Sequence, residues 1–135
     1  MHNFIFFSLL NISCAKKNTL ISLDQLLPQQ IESVPIGMSK EEFQKKNPAE
    51  YEEISLGNNI TYLKKPVKSP ELLFIQYKFE SENLAEVLIG YRPSFGAKDI
   101  ATSLYGEPND AGRWLATSNE QTITIEIIDN AIVYH

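Results

Sequence analysis

The chain has 135 residues, which is enough for one domain that buries its own hydrophobic core. Of these residues 43% are hydrophobic and 21% are charged, and 12 basic against 17 acidic residues give a net charge of −5. This acidic balance argues against nucleic acid as a partner, and no apolar run reaches the roughly 18 residues that a membrane-spanning helix needs.

The N-terminal segment has the pattern of an export signal. A block of uncharged, mainly apolar residues occupies positions 4–12 and is followed by the small residue Ser13, by Cys14 and then by two lysines. A short apolar block that ends at a small residue is typical of such signals. A small residue directly before the single cysteine resembles a lipobox, in which the signal is cut before a cysteine that carries a diacylglycerol. The resemblance implies a signal peptide over residues 1–13 and a lipid on Cys14.

An alternative is that residues 4–10 form a buried strand and that Cys14 is a core thiol, because free cysteine is among the most buried residue types. The apolar block shows no alternation of the kind a half-buried strand has, which favours the signal. The lipid would attach the protein to a membrane of the cell envelope. Ala15 is not the Asp associated with inner-membrane retention, so the expected address in a two-membrane cell is the outer membrane.

Residues 14–33 are predicted to form a lipidated tether and arm, and residues 34–135 a single α+β domain. The clearest helix signal is Ser39 with Glu42, an S-x-x-E capping box in which each side chain satisfies a backbone N–H at the helix start. It predicts a short helix that begins near Lys40.

A second short helix is predicted over 97–104, with Gly106 and Pro108 as its end signals. Asp129 and Asn130 predict a tight turn near the C-terminus. Three strand-like segments follow each helix. The first three are 53–63 (around a turn at residues 57–59), 72–79 and 84–91, and the second three are 113–117, 122–128 and 131–134. The predicted fold is α+β, an antiparallel sheet of five or six strands with two short helices on one face, helix-plus-three-strands repeated twice. The residues expected to be buried are Phe43, Ile75, Leu88 or Ile89, Leu104, Ile125 and Ile127.

Two short motifs resemble the signatures of one superfamily. Residues 37–42 read Gly-Met-Ser-Lys-Glu-Glu at the first helix start, and residues 105–108 read Tyr-Gly-Glu-Pro at the second helix end, ahead of Trp114. The superfamily contains the small lipoprotein of the outer-membrane β-barrel assembly machinery and the β-lactamase inhibitor proteins. The resemblance covers about residues 34–135 and implies short helices on one face of an antiparallel sheet. Because the two motifs lie in different repeats, it favours the duplicated, inhibitor-like layout.

The residues that enzymes use most often are scarce. The two histidines are His2, in the predicted signal, and His135, so a Ser/His/Asp triad or a histidine metal site is not expected. A lipid on Cys14 would remove the thiol as a nucleophile, and no Gly-rich phosphate loop occurs. We therefore expect no enzyme, no cofactor, no metal and no small-molecule substrate.

Two sets of side chains are candidates for contact with a partner. An aromatic set is either core or an exposed protein-binding surface, and it comprises Tyr62, Tyr77, Tyr91 and Trp114. Three lysines predicted to share one loop, Lys64, Lys65 and Lys68, either contact an anionic surface or keep a hairpin loop soluble and unpaired.

The sequence thus predicts a lipid-anchored envelope protein that acts as a non-catalytic protein-binding or scaffold module. The alternative function is inhibition of a secreted or periplasmic hydrolase.

Overall fold

A computed structural model describes residues 20–24 and 26–135 of the chain. Within these residues the helices are α1 (Lys40–Lys46) and α2 (Ala97–Tyr105). The strands are β1 (Ile21–Ser22), β2 (Glu52–Gly57), β3 (Ile60–Pro66), β4 (Leu72–Glu80), β5 (Asn83–Tyr91), β6 (Trp114–Ser118), β7 (Gln121–Ile128) and β8 (Ala131–Tyr134).

All the strands belong to one sheet with the order β1-β6-β7-β8-β5-β4-β3-β2. Neighbouring strands are antiparallel except β1 and β6, which are parallel. Each helix is followed by a meander of consecutive strands, and the two meanders join where β5 pairs with β8. The predicted α+β class with two short helices and an antiparallel sheet is confirmed.

The sheet has eight strands rather than the five or six predicted. The segment 53–63 is not one strand but the hairpin β2–β3, which turns at Asn58 and Asn59. The helix-plus-three-strands unit is therefore wrong for the first repeat, which has four strands. The arm supplies the remaining strand, β1, because Ile21 and Ser22 pair with β6.

Helix α1 begins at Lys40, as the capping signal predicts. The Glu42 N–H donates to Ser39 Oγ at 3.1 Å, so one of the free N–H groups of the first turn has an acceptor. The Glu42 carboxylate forms an ion pair with Lys46 at 3.1 Å, one turn further along the helix. Helix α2 begins at Ala97, also as predicted.

Tight turns with left-handed residues connect most of the antiparallel strands. Both residues of the β4–β5 turn have positive φ, 49° at Ser81 and 68° at Glu82. The β6–β7 turn repeats this at Asn119 and Glu120, with φ of 51° and 67°. Two-residue turns of this hand match the natural twist of the strands that they join. The predicted turn at 129–130 is present between β7 and β8.

One face of the sheet, here called the inner face, carries both helices. Phe43 of α1 packs on Tyr77 of β4, with ring centroids 4.5 Å apart. The hydroxyl of Tyr105 in α2 hydrogen-bonds the hydroxyl of Tyr134 in β8 at 2.8 Å. Tyr77 and Tyr134 both lie opposite Val87 in β5, so they share one face. The two helices therefore lie on the same face, as predicted.

The buried core agrees with most of the predicted set. Phe43, Ile75, Ile89 and Ile125 are buried. The two remaining positions, Leu104 and Ile127, are partly buried and pack against the core.

The arm is part of this core. Leu23 is fully buried, and its N–H donates to the Thr117 carbonyl at 2.9 Å beside β6. Ile31 and Val34 are also buried against the inner face. Packing against the core therefore extends upstream of residue 34 to Ile21 in β1.

Strand β2 lies at the opposite edge of the sheet from β1. All of its residues are exposed, including Ile54 and Leu56. On the inner side Glu53 forms an ion pair with Lys40 at 3.0 Å, which links this edge to α1.

The side chain of Asn130, in the β7–β8 turn, links this turn to the segment between β5 and α2. Its Oδ1 accepts from the Ala97 N–H at 2.9 Å. Its Nδ2 donates to the carbonyls of Tyr91, Arg92 and Phe95 at 3.2, 3.1 and 2.8 Å.

These hydrogen bonds replace a local cap on α2. The N-cap residue is Gly96, which has no side chain to accept from the first turn. Asn130 supplies that acceptor from the β7–β8 turn, more than thirty residues further along the chain, so the start of α2 depends on a tertiary contact.

Asn130→Ala is expected to lower the free energy of unfolding by about 3 kcal/mol, because several backbone groups lose a partner together. Asn130→Asp should be intermediate, since it keeps the acceptor for Ala97 but loses both donor hydrogens. Urea unfolding followed by circular dichroism measures both variants. Asn83→Ala is the control, because the amide of Asn83 has only one long contact, at 3.5 Å. Equal stability of the Asn130→Ala and Asn83→Ala variants would show that the link is dispensable.

Candidate functional site

The predicted lipid site lies outside the part of the chain that the structure describes. Cys14 and the predicted signal over 1–13 fall before the first described residue, Leu20. In residues 20–24 and 26–135 no helix has the length and apolar character needed to cross a bilayer.

The predicted aromatic surface does not form as one surface. Tyr77, Tyr91 and Trp114 are buried, with at most 9% of each residue exposed, and only Tyr62 is partly exposed. Side chains alternate between the two faces of a strand, and Tyr77 lies in register with Leu63 and Val87 of the inner face. Of the two alternatives for this set, Tyr77, Tyr91 and Trp114 belong to the core, and Tyr62 alone of the four is left for a partner surface.

The predicted lysine cluster is also corrected. Strand β3 continues through Lys64 and Lys65 to Pro66, so only Lys68 lies in the loop. Because Lys64 and Lys65 are consecutive in a strand, they lie on opposite faces of the sheet. Lys65 lines a cavity of about 250 Å³ between the arm and α1. The three lysines therefore do not form one anionic-surface contact.

The sheet face opposite the helices, here called the outer face, carries a group of apolar and aromatic side chains. This outer-face patch consists of Ile54, Tyr62, Lys64, Phe74 and Leu88. Ile54 lies opposite Tyr62 in register, and the ammonium group of Lys64 lies 4.4 Å from the centre of the Phe74 ring. Ile54 is 40% exposed, and the other four are partly exposed.

Gly90 determines where the Phe74 ring lies. The two residues are opposite each other in β5 and β4. A Cβ at Gly90 would stand 3.0 Å from the ring carbons of Phe74, closer than carbon atoms pack. The ring thus lies over the backbone of β5, where it is available to Lys64.

A cleft of about 630 Å³ lies between the arm and α2. We call it the α2 cleft. Its apolar lining comes from three separate segments: Leu27 and Pro28 of the arm, Phe95 of the loop before α2, and Ile100 and Leu104 of α2.

The polar lining of the α2 cleft is acidic. It includes Glu71 and Asp99, and no lysine or arginine of residues 20–24 and 26–135 lines it. Tyr91 lies at its inner side and is 3% exposed, and its hydroxyl has no hydrogen-bond partner in the described structure. Burial, with smaller contributions from the nearby Tyr105 and Glu71, raises the pKa of Tyr91 to about 12.

Three more tyrosines of the inner face are held in their neutral form. Burial raises the pKa of Tyr77 to about 12, with a smaller contribution from Tyr51. Burial likewise raises the pKa of Tyr105 to about 12, although its hydrogen bond with Tyr134 lowers it. The pKa of Tyr134 lies well above its usual value, mainly because of burial.

Potential metal and acid–base groups are dispersed. In the described residues no group of three or more His, Cys, Asp or Glu side chains is placed to hold a metal ion. His135 contacts the carboxylate of Glu126 on the outer face, and Arg113 lies 3.7 Å from the other oxygen of that carboxylate. The expectation that the protein is not an enzyme stays a prediction.

Comparison of the chain with protein-family models, with curated proteins and with solved structures finds no match. The resemblance to the superfamily of assembly-machinery lipoproteins and inhibitors therefore also stays a prediction.

The sequence analysis missed the α2 cleft and the role of Asn130. The cleft joins residues 27–30 to residues 94–104, which are distant in the chain, and no local pattern predicts that contact. One available signal was Gly96 at the start of a predicted helix, because a helix whose N-cap has no side chain needs an acceptor from elsewhere.

Stability is expected to fall at alkaline pH. Tyrosine in the unfolded chain has a pKa of about 10, whereas Tyr77, Tyr91 and Tyr105 ionise only near 12 in the folded state. Their contribution to stability is therefore fully present below about pH 10 and is lost as the pH rises through about 12. Urea unfolding at a series of pH values, with tyrosinate absorbance as the second readout, measures this loss. Tyr77→Phe should flatten the pH dependence, and Phe74→Leu, which removes no titratable group, should not.

Proposed function

We propose that this chain is a non-catalytic protein-binding or scaffold module of the bacterial cell envelope, anchored by a lipid on Cys14. We further propose that the outer-face patch is where its protein partner binds. The proposal that a partner binds the patch rests on the position of the patch, which lies on the face opposite both helices and the arm.

The composition of the patch supports a protein partner. Tyr62 and Phe74 offer aromatic area, and Ile54 and Leu88 extend the apolar surface on either side. Aromatic residues are enriched in protein interfaces, where they contribute much of the binding energy. Lys64 lies in the patch and has no ion-pair partner among the described residues, whereas the nearby Lys78 is paired with Glu80 at 3.4 Å. The partner should therefore present an apolar surface with a carboxylate that reaches Lys64.

The anchor is tested by metabolic labelling with an alkyne fatty acid in a bacterial host that processes lipoproteins. We expect the full chain to carry the label and to be found in the membrane fraction. Cys14→Ala should remove both, and Ser13→Ala should preserve them because a small residue still precedes the cysteine. If Cys14→Ala leaves the label and the membrane fraction unchanged, the anchor is elsewhere.

The binding surface is tested by photo-crosslinking in living cells. A photoreactive phenylalanine analogue at Tyr62 should yield one discrete adduct, and the same analogue at Gln44, exposed on α1 on the inner face, should not. Lys64→Glu should reduce the Tyr62 adduct by about tenfold, since a like charge replaces an attraction. Lys45→Glu is the matched control, because Lys45 is an exposed lysine of α1.

The identity of the adduct separates the two candidate functions. An adduct with a hydrolase whose activity falls when the purified chain is added would favour the inhibitor. Equal adducts from Tyr62 and Gln44 would show that the outer-face patch is not the binding surface.

A further inference from the structure

The α2 cleft has the size and lining of a site for a small ligand. Its volume of about 630 Å³ lies within the range of roughly 300–1,000 Å³ that small-molecule sites occupy. Apolar side chains from the arm, from the loop before α2 and from α2 itself line it. It is separate from the outer-face patch, because Tyr91 and the residues of α2 that line it belong to the inner face.

The charges in the cleft determine whether it favours a cationic or an anionic ligand. Among the described residues neither Glu71 nor Asp99 forms an ion pair, and no basic side chain lines the cleft. The nearest arginine in sequence, Arg92, donates its Nε–H to the Ser69 carbonyl at 3.1 Å instead of pairing with Glu71. Two carboxylates without an ion-pair partner, beside apolar surface, repel anions and attract a cation.

Tyr91 closes the inner side of the cleft. The residue is 3% exposed, and its hydroxyl, which has no hydrogen-bond partner in the described structure, is buried out of reach of a group in the cleft. A ligand in the cleft therefore meets the Tyr91 ring and not its hydroxyl.

We propose that the α2 cleft binds a small amphipathic amine. Its apolar body packs between the arm and α2 against Leu27, Phe95 and Leu104. Its protonated amino group lies beside the carboxylates of Glu71 and Asp99. The amine is a bound ligand and undergoes no reaction, and its site does not depend on the proposed protein partner.

The test uses three probes of the same shape and different charge: 2-phenylethylamine, 2-phenylethanol and 3-phenylpropanoate. Each is titrated into the full chain and followed by amide chemical shifts in two-dimensional NMR. We expect the amine to bind with a Kd near or below about 1 mM, the alcohol about tenfold more weakly, and the carboxylate not at all. The shifts should be confined to residues 27–30, 71 and 91–104.

Variants identify the groups responsible. Glu71→Gln and Asp99→Asn should each weaken the amine by about tenfold and leave the alcohol unchanged, because they remove charge and keep shape. Asp110→Asn is the matched control, since Asp110 is an exposed carboxylate outside the cleft, and it should change nothing.

The proposal is overturned by any of three results. These are no shift at about 10 mM amine, equal binding of the amine and the carboxylate, and full amine affinity in both the Glu71→Gln and Asp99→Asn variants. The outer-face patch is tested separately, by crosslinking at Tyr62. Failure of the amine proposal and failure of the protein-binding proposal are therefore distinguishable.

Discussion

The amide of Asn130 holds together parts of the molecule that the backbone alone leaves separate. It lies in the turn that brings β8 beside β5, which is the one pairing that joins the two meanders. From there it supplies the first acceptor of α2 and fixes the loop after β5. The position of α2 follows from this, and so do the α2 cleft beneath it and the buried hydroxyls of Tyr105 and Tyr134.

The alternation of side chains along the strands divides the protein into two surfaces with different chemistry. On the inner face the tyrosines pack against the helices and the arm, and burial keeps their hydroxyls protonated. The outer face keeps Tyr62 and Phe74 near solvent with a lysine above the ring. An aromatic residue thus belongs to the core or to the outer-face patch according to the parity of its position in a strand.

Capping and turn residues in the sequence predicted the features that depend only on neighbouring residues. The start of α1 and the turn at 129–130 depend on a few neighbouring residues, and the sequence located both. The β2–β3 hairpin was read as one segment, although Gly57, Asn58 and Asn59 marked its turn. Strand β1 has only two residues and exists because β6 pairs with it, so its own pattern carries no information.

The candidate sites were harder to predict because they depend on contacts between segments that are distant in the chain. The parity of Tyr77, Tyr91 and Trp114 follows from strand register, and register includes irregularities between residues 72 and 74 and between residues 78 and 79 that no single strand pattern shows. The α2 cleft requires the arm to cross the inner face, a contact between segments about seventy residues apart. The burial of these aromatic residues and the α2 cleft both result from tertiary packing rather than from local propensity.

The exposed strand β2 also affects how copies of the protein interact with each other at high concentration. A sheet edge with free backbone groups is a template that a second chain can extend, and Leu56, 61% exposed, adds an apolar contact to it. Glu50 and Glu52 place negative charge along that edge, on a chain whose net charge is −5. Two copies approaching edge to edge therefore repel each other before their backbones meet. The colloidal stability of the protein at high concentration thus depends on a few carboxylates at one rim, and acid or high salt weakens that protection.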